Sequence, residues 1–212
     1  MGQPLQLPRL YAIIDASMFA QEKDAALAIA RFAEQLIAGG ATLIQYRNKQ
    51  GSGPQMLSQA RELRRVADGG RVTLIMNDRA DLCLAAGFDG VHVGQGDLSP
   101  KGARVVVGKD RVIGVSTHDP EQLATADATD ADYLAIGPVF PTSTKEKPDP
   151  VVGLEGVRRA RAATRKPLVA IGGITRENCR EVIAAGADCV AVVRDLFAQP
   201  RAATEDFLRL LR

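Results

Sequence analysis

The sequence predicts an α/β chain closed into a single-domain (β/α)8 TIM barrel spanning residues 1–212. Three observations carry this. Short apolar runs alternate with longer amphipathic stretches along all 212 residues, the pattern of strands followed by crossover helices. Eight such pairs leave roughly 26 residues each, close to the minimum for the unit. Finally, an internal repeat falls on every second strand. Residues 85–93, AAGFDGVHV, resemble residues 184–192, AAGADCVAV, and weaker copies lie at Ile37 to Gln45 and Ala128 to Ile136. A period of two units suits a barrel whose alternate strands fill alternate interior layers. An open doubly wound sheet remains the alternative and has no obvious reason for it.

Each element has its own signal. Leu10 to Ile14 reads as the first strand. Asp24 is an N-cap for a helix with Leu27, Ala30, Ala33 and Ile37 at helical spacing, which Gly39-Gly40 ends. Ala41 to Tyr46 is the second strand, and Met56, Ala60, Leu63 and Ala67 form the next helical face. Val72 to Met76 is the third strand, followed by a short helix from Asp81 to Ala86. The remaining strands are Gly90 to Val93, Val112 to Val115, Tyr133 to Ile136, Leu168 to Ile171 and Cys189 to Val193. Helices are predicted at Pro120 to Thr125, Leu154 to Ala163, Thr175 to Ala185 and Asp195 to Leu211, and Ser99 to Val107 carries the weakest helical pattern. Gly137 to Gly153 is a long loop.

Composition excludes several functions. A hydrophobic fraction of 46% with a formal net charge of +2 is incompatible with a disordered chain and leaves no electrostatic footprint for nucleic acid or an acidic membrane. No apolar stretch reaches the ~18 residues that would span a bilayer. The first nine residues carry no secretory pattern, and the scattered Cys83, Cys179 and Cys189 form neither a disulfide framework nor a metal spacing. The expectation is a cytoplasmic protein, with a homo-oligomer left open.

The repeat sets the phase of the strands. If Asp89, Thr42, Asp132 and Asp188 are equivalent, then Gln45, His92, Ala135 and Ala191 share one face, and Arg47, Gly94, Gly137 and Val193 follow one pleat later. Polar Gln45 and Arg47 fit poorly under helices, so this face is the interior near the C-terminal mouth. In such barrels the residues after each strand form the active face. Strand two ends in Gln45-Tyr46-Arg47-Asn48-Lys49, with two cations on one side, which suits a phosphate or diphosphate. Asn77-Asp78 and Asp97 place two carboxylates at neighbouring strand ends, either as ligands of a Mg²⁺ bridged to phosphates or as helix caps. Ser116 is placed to donate to an anion. His118 either contacts a ligand or begins the next helix, and His92 either touches the ligand or is an interior histidine. The loop after strand six carries Thr142, Ser143, Thr144 and Lys145, a row of donors without a carboxylate. Gly172-Gly173 and the residues from Val193 to Asp195 close strands seven and eight, where such barrels commonly bind phosphate. Two anion sites imply two phosphorylated substrates, or one bisphosphate.

Taken together, Gln45-x-Arg47-x-Lys49, Asn77-Asp78, the run from His92 to Asp97, Gly114-Val115-Ser116, the segment from Gly137 to Lys145 and Ile171-Gly172-Gly173-Ile174 resemble the thiamine phosphate synthase family. The resemblance runs from Tyr11 to Phe197 and rests on the order and spacing of the set. It implies a transferase that joins a hydroxymethylpyrimidine diphosphate to a hydroxyethylthiazole phosphate and releases diphosphate. It also implies that Gln45 contacts the pyrimidine, within a binding segment that includes Tyr46 and Asn48. Arg47, Lys49, Asn77, Ser116 and Lys145 would hold the diphosphate, and Asp78 and Asp97 the Mg²⁺. Thr142, Ser143, Thr144, Gly173 and the backbone near Val193 would hold the thiazole phosphate. The chain departs from the family at Arg194, where a small residue is usual; Arg194 would meet the phosphate or pair with Asp195. A thiazole tautomerase, a phosphosugar isomerase or epimerase, and a non-catalytic phosphate binder are the alternatives. Asp97 and the Thr142–Lys145 loop favour the synthase over the tautomerase.

Overall fold

The computed structural model describes residues 5–67, 69, 72–142 and 149–212. Eight parallel strands close on themselves in sequence order, which excludes the doubly wound sheet. They are β1 (Leu10–Asp15), β2 (Leu43–Arg47), β3 (Thr73–Asn77), β4 (Gly90–Val93), β5 (Val112–Thr117), β6 (Tyr133–Ile136), β7 (Leu168–Ile171) and β8 (Cys189–Val192). The ring is completed where Leu10 pairs Val190 and Ala12 pairs Val192. Around it lie α1 (Ala25–Ala38), α2 (Gly53–Val66), α3 (Ala80–Ala85), α4 (Pro100–Val107), α5 (Pro120–Asp127), α6 (Gly153–Ala163), α7 (Cys179–Ala184) and α8 (Pro200–Leu210).

The helices begin where short polar side chains and prolines permit. Asp24, Ser52, Ser99 and Asp119 each accept from the backbone N–H three residues on, satisfying a donor the helix cannot. Proline stands in the first turn of α2, α4, α5 and α8, where its missing N–H loses nothing. The weakly patterned segment after Ser99 is therefore a helix. Two boundaries depart from expectation by more than two residues. Residues 175–178 form a turn outside α7, because the Asn178 side chain takes the Thr175 N–H at 2.9 Å. The helix expected from Asp195 is instead a 3-10 turn over Arg194–Leu196 and a separate α8. Pro200 cannot sit inside a helix, and it pushes Gln199 out of the helical region, to φ −141° and ψ 72°.

Alternation sorts the strand side chains into two cores. Outward residues such as Ile44, Tyr46, Leu74 and Val91 pack under the helices. Inward residues Tyr11, Ile13, Leu43, Ile75, Tyr133, Ala135, Val169, Cys189 and Ala191 fill the barrel. The inferred phase holds, since Ala135 and Ala191 lie inside, with buried Gln45 and His92 bonded to interior tyrosines.

The repeat has a physical cause. At the start of β4, β6 and β8, one oxygen of Asp89, Asp132 or Asp188 accepts the N–H of Leu74, Ile113 or Leu168 on the preceding strand, at 2.7–2.8 Å. That same oxygen meets Arg64, Arg104 or Arg161 from the helix before that strand, at 3.1, 2.7 and 2.8 Å. Three Arg–Asp clamps therefore lock helix, odd strand and even strand at the N-terminal face, which is the stability face of such barrels. The glycines before two of them, Gly87 and Gly186, sit at φ +67° and +112°, the left-handed region a side chain resists.

Candidate active site

The C-terminal ends of the strands surround a cavity of about 920 Å³, large enough for more than one small ligand. The sequence-predicted residues Gln45, Arg47, Lys49, Asn77, Asp78, Asp97, Ser116, Thr142, Gly173, Val193 and Arg194 all line it. Ser143, Thr144 and Lys145 lie outside the described residues. Tyr46 and Asn48 lie apart from these, and neither lines the cavity. Alternation turns Tyr46 outward, where its hydroxyl donates to Gln59 and burial pushes its pKa up to about 12. Asn48 braces the turn after β2, accepting from the Gln50 and Gly51 amides and donating to Tyr46 and Gln59.

One corner is built by β1 to β4. Arg47 is held by an ion pair to the buried Asp15, its register partner on β1. Lys49 Nζ lies 2.5 Å from Asp78. Asp78 holds φ +61°, an uncommon conformation for a residue with a side chain. Neither carboxylate caps a helix: Arg79 stands at the α3 N-cap, and Ser99 caps α4. Asp97 instead accepts the Gly94 N–H at 2.8 Å.

The two carboxyls interact directly. Burial raises the pKa of Asp78, and its bond to Asp97 adds to the rise against the pull of Lys49. Burial also opposes ionising Asp97, but its bonds to Asp78 and the Gly94 N–H, with Lys49 nearby, hold it below the usual value. The two carboxyls thus pull apart, Asp78 harder and Asp97 easier to ionise, and a divalent cation between them would favour the ionised form of both. Beside them the Asn77 amide nitrogen is buried with no hydrogen-bond partner, a condition costing about 1–3 kcal/mol unless a ligand relieves it. Among the described residues no group of three or more His, Cys, Asp or Glu side chains could hold a metal. A cation here would therefore take two carboxylates and complete its shell from ligand and water.

The centre is polar and neutral. His92 bridges Tyr133 and Ser116 with its two ring nitrogens, at 2.9 and 2.7 Å. Burial pushes its pKa down to about 4, so the imidazole stays uncharged at neutral pH. Tyr133 fits because β5 carries Gly114 opposite; a Cβ there would overlap the ring.

The second corner is formed by β6 to β8. Gly172 and Gly173 sit at φ +101° and +64°, bringing backbone rather than side chain to the cavity wall. Asp195 is taken by Arg176, through the backbone N–H at 2.8 Å and two guanidinium bonds. The guanidinium that holds Asp195 is thus that of Arg176, and Arg194 faces the cavity. His118 does not begin α5, which Asp119 caps; its Nδ1 lies 2.7 Å from the Gly137 carbonyl and its Nε2 3.4 Å from Asp149.

Sequence reasoning missed Asp15, Tyr11, Tyr133 and Asp149. Tyr133 was within reach, being one pleat before Ala135. The three cysteines are buried and off the cavity wall, and burial raises all three thiol pKa values. None is poised as a base.

A (β/α)8 barrel with cations and a carboxylate pair at one corner of its C-terminal mouth and open glycine backbone at another defines an enzyme of phosphorylated small molecules. Residues 10–196 match the family model described as thiamine monophosphate synthase. A thiamine-phosphate synthase of Koribacter versatilis is 60% identical over 211 residues, covering 100% of this chain and 99% of that one. One of Methanoregula boonei is 45% identical over 192 residues, covering 90% and 86%. The solved thiamine phosphate pyrophosphorylase of Pyrococcus furiosus superposes with a TM-score of 0.83 at 32% identity, covering 96% and 95%. The chain belongs to the thiamine monophosphate synthase family.

Proposed function

We propose that the chain, as one barrel domain over residues 1–212, condenses 4-amino-2-methyl-5-hydroxymethylpyrimidine diphosphate with hydroxyethylthiazole phosphate to give thiamine monophosphate and diphosphate. A transfer joining pyrimidine and thiazole units in thiamine biosynthesis is the activity of the family to which it belongs. The observation that carries the finer reading is the pairing of two anion corners in one cavity, with the interacting carboxyls of Asp78 and Asp97 beside the one that holds Arg47 and Lys49.

In this reading the substrate's carbon–oxygen bond to diphosphate breaks first, its electron pair leaving with the diphosphate. The thiazole nitrogen then attacks the resulting methylene cation. No proton is transferred in these steps, so the protein supplies charge neutralisation and positioning rather than a base. Arg47, Lys49, Asn77, Ser116 and Lys145 hold the diphosphate, with Asp15 aiming Arg47. Asp78 and Asp97 hold Mg²⁺, which supplies further neutralisation of the leaving group when bound. Gln45 contacts the pyrimidine. Thr142, Ser143, Thr144, Gly173, Val193 and Arg194 receive the thiazole phosphate. Buried free thiols fit a cytoplasmic protein, and no described helix is long and apolar enough to cross a membrane.

The test is a two-substrate assay with and without metal. Product is expected only when both substrates and Mg²⁺ are present. Turnover without the diphosphate substrate, or full activity in excess chelator, would sink this reading. Lys145→Ala is expected to lower turnover at least ~10-fold, at ~1.4 kcal/mol per decade.

A further inference from the structure

Five side chains cross the barrel interior in one hydrogen-bonded file. Gln45 Nε2 donates to the Tyr11 hydroxyl at 2.8 Å. The Tyr11 and Tyr133 hydroxyls lie 3.0 Å apart. Tyr133 reaches His92 Nδ1 at 2.9 Å, and His92 Nε2 reaches Ser116 Oγ at 2.7 Å. Packing fixes the middle of the file. The Tyr133 ring stacks on His92 with centroids 5.5 Å apart and meets Tyr11 edge-on at 6.1 Å. Its two ends, Gln45 and Ser116, both face the cavity.

The file has a direction. An amide nitrogen can only donate, so Tyr11 accepts from Gln45 and spends its single proton on Tyr133. Tyr133 then spends its own on His92 Nδ1. A neutral imidazole that accepts at Nδ1 carries its proton on Nε2, and that proton goes to Ser116 Oγ. The Ser116 hydroxyl proton is left for the cavity. At the far end Gln45, with its nitrogen turned inward, presents its carbonyl oxygen. Turning the Gln45 amide over reverses every bond in the file. Ser116 would then donate to His92 and offer an anion only lone pairs.

We infer that this file is a specificity relay: an anion accepting from Ser116 fixes Gln45 as an acceptor, so the site selects pyrimidine diphosphates that present an amino group and rejects their oxo counterparts. The inference rests on the reading of Gln45 and Ser116 given under Proposed function. Tyr11, Tyr133 and His92 are positioning residues that act through those two ends. Selection of this kind is effective because the wrong partner leaves buried polar groups unpaired.

Two measurements test it. The chain has two histidines, so ¹⁵N-histidine spectra of the protein saturated with inorganic diphosphate, assigned with His118→Gln, report the His92 tautomer directly. The proton is expected on Nε2; a proton on Nδ1 overturns the relay whatever the substrate. The second is kcat/KM for the aminopyrimidine diphosphate and for its 4-oxo counterpart, in the wild type and in Tyr133→Phe. The wild-type preference for the amino compound is expected to fall at least ~10-fold in the variant, because Gln45 can then turn without reversing Ser116. An unchanged ratio in folded Tyr133→Phe overturns the relay; should that variant not fold, Tyr11→Phe decides in the same way. A wild type that condenses neither compound overturns the functional reading and the selectivity with it, whereas failure of the relay alone leaves condensation intact.

Discussion

Asp15 and Arg47 are register partners on β1 and β2, and their side chains close into an ion pair at the rim of the cavity. Asp15 is 2% exposed and also accepts from the Ser17 N–H and hydroxyl, at 3.0 and 2.7 Å. Its carboxylate is therefore fixed, and Arg47 is aimed by a group that cannot itself reach solvent. Asp15→Asn keeps the shape and removes the charge. The expected outcome is a KM for the diphosphate substrate raised about tenfold, the scale of one charge-assisted bond. Steady-state kinetics checks it, and an unaltered KM would detach Asp15 from the aiming of Arg47.

That pair also marks where reading the sequence stops. The interior position of Gln45 and His92 was legible, because strand alternation is local and the repeat fixes its phase. The same alternation should have excluded Tyr46, which was carried along by the contiguous motif around it. The Asp15–Arg47 contact needs the register of two strands separated by α1, and the Tyr11–Tyr133 contact joins β1 to β6 across the closed ring. The first is a property of strand register and the second of barrel closure, and no local window of sequence contains either. The start of α8 was legible in Pro200 but was overridden by the helical pattern on either side of it.

Lys49 stands 2.5 Å from Asp78, whose carboxyl is held above its ordinary pKa by burial and by the neighbouring Asp97. A divalent cation entering here would compete with Lys49 for Asp78 and favour its ionised form. Asp97→Asn removes one of the two carboxylate charges while leaving Asp78 in place. At limiting Mg²⁺ the variant is expected to lose at least ~10-fold in rate, with partial recovery as Mg²⁺ is raised. A Mg²⁺ titration of initial rate checks this. A loss that no Mg²⁺ concentration relieves would mean that Asp97 has another role.

The Arg–Asp clamps at the opposite face should affect stability and not catalysis. Asp132 binds the Ile113 N–H and Arg104 through one oxygen, both at 2.7 Å. Asp132→Ala leaves a strand amide unpaired and a guanidinium without its counter-charge. A loss of about 1–3 kcal/mol in unfolding free energy is expected, with kcat unchanged at temperatures where the variant is folded. Urea unfolding and a rate assay on the same preparation separate the two. A fall in kcat without a fall in stability would contradict the division of the barrel into a stability face and an active face.

His92 makes stability depend on pH in a defined window. Burial lowers its pKa from the ordinary 6.5 to about 4 in the folded chain. Between those values the unfolded chain binds the proton and the folded chain does not. Stability from this group is therefore complete above pH 6.5 and is lost as pH falls toward 4. At 1.36 kcal/mol per unit the loss across the window is about 3 kcal/mol. Denaturant unfolding of the wild type at steps from pH 7.5 to 5 is expected to show this decline. His92→Asn, which cannot take up the proton, should start less stable because the file through Tyr133 and Ser116 is broken, but should decline more gently. Parallel declines for the two proteins would assign the pH dependence to other groups and leave His92 free to titrate in the folded chain.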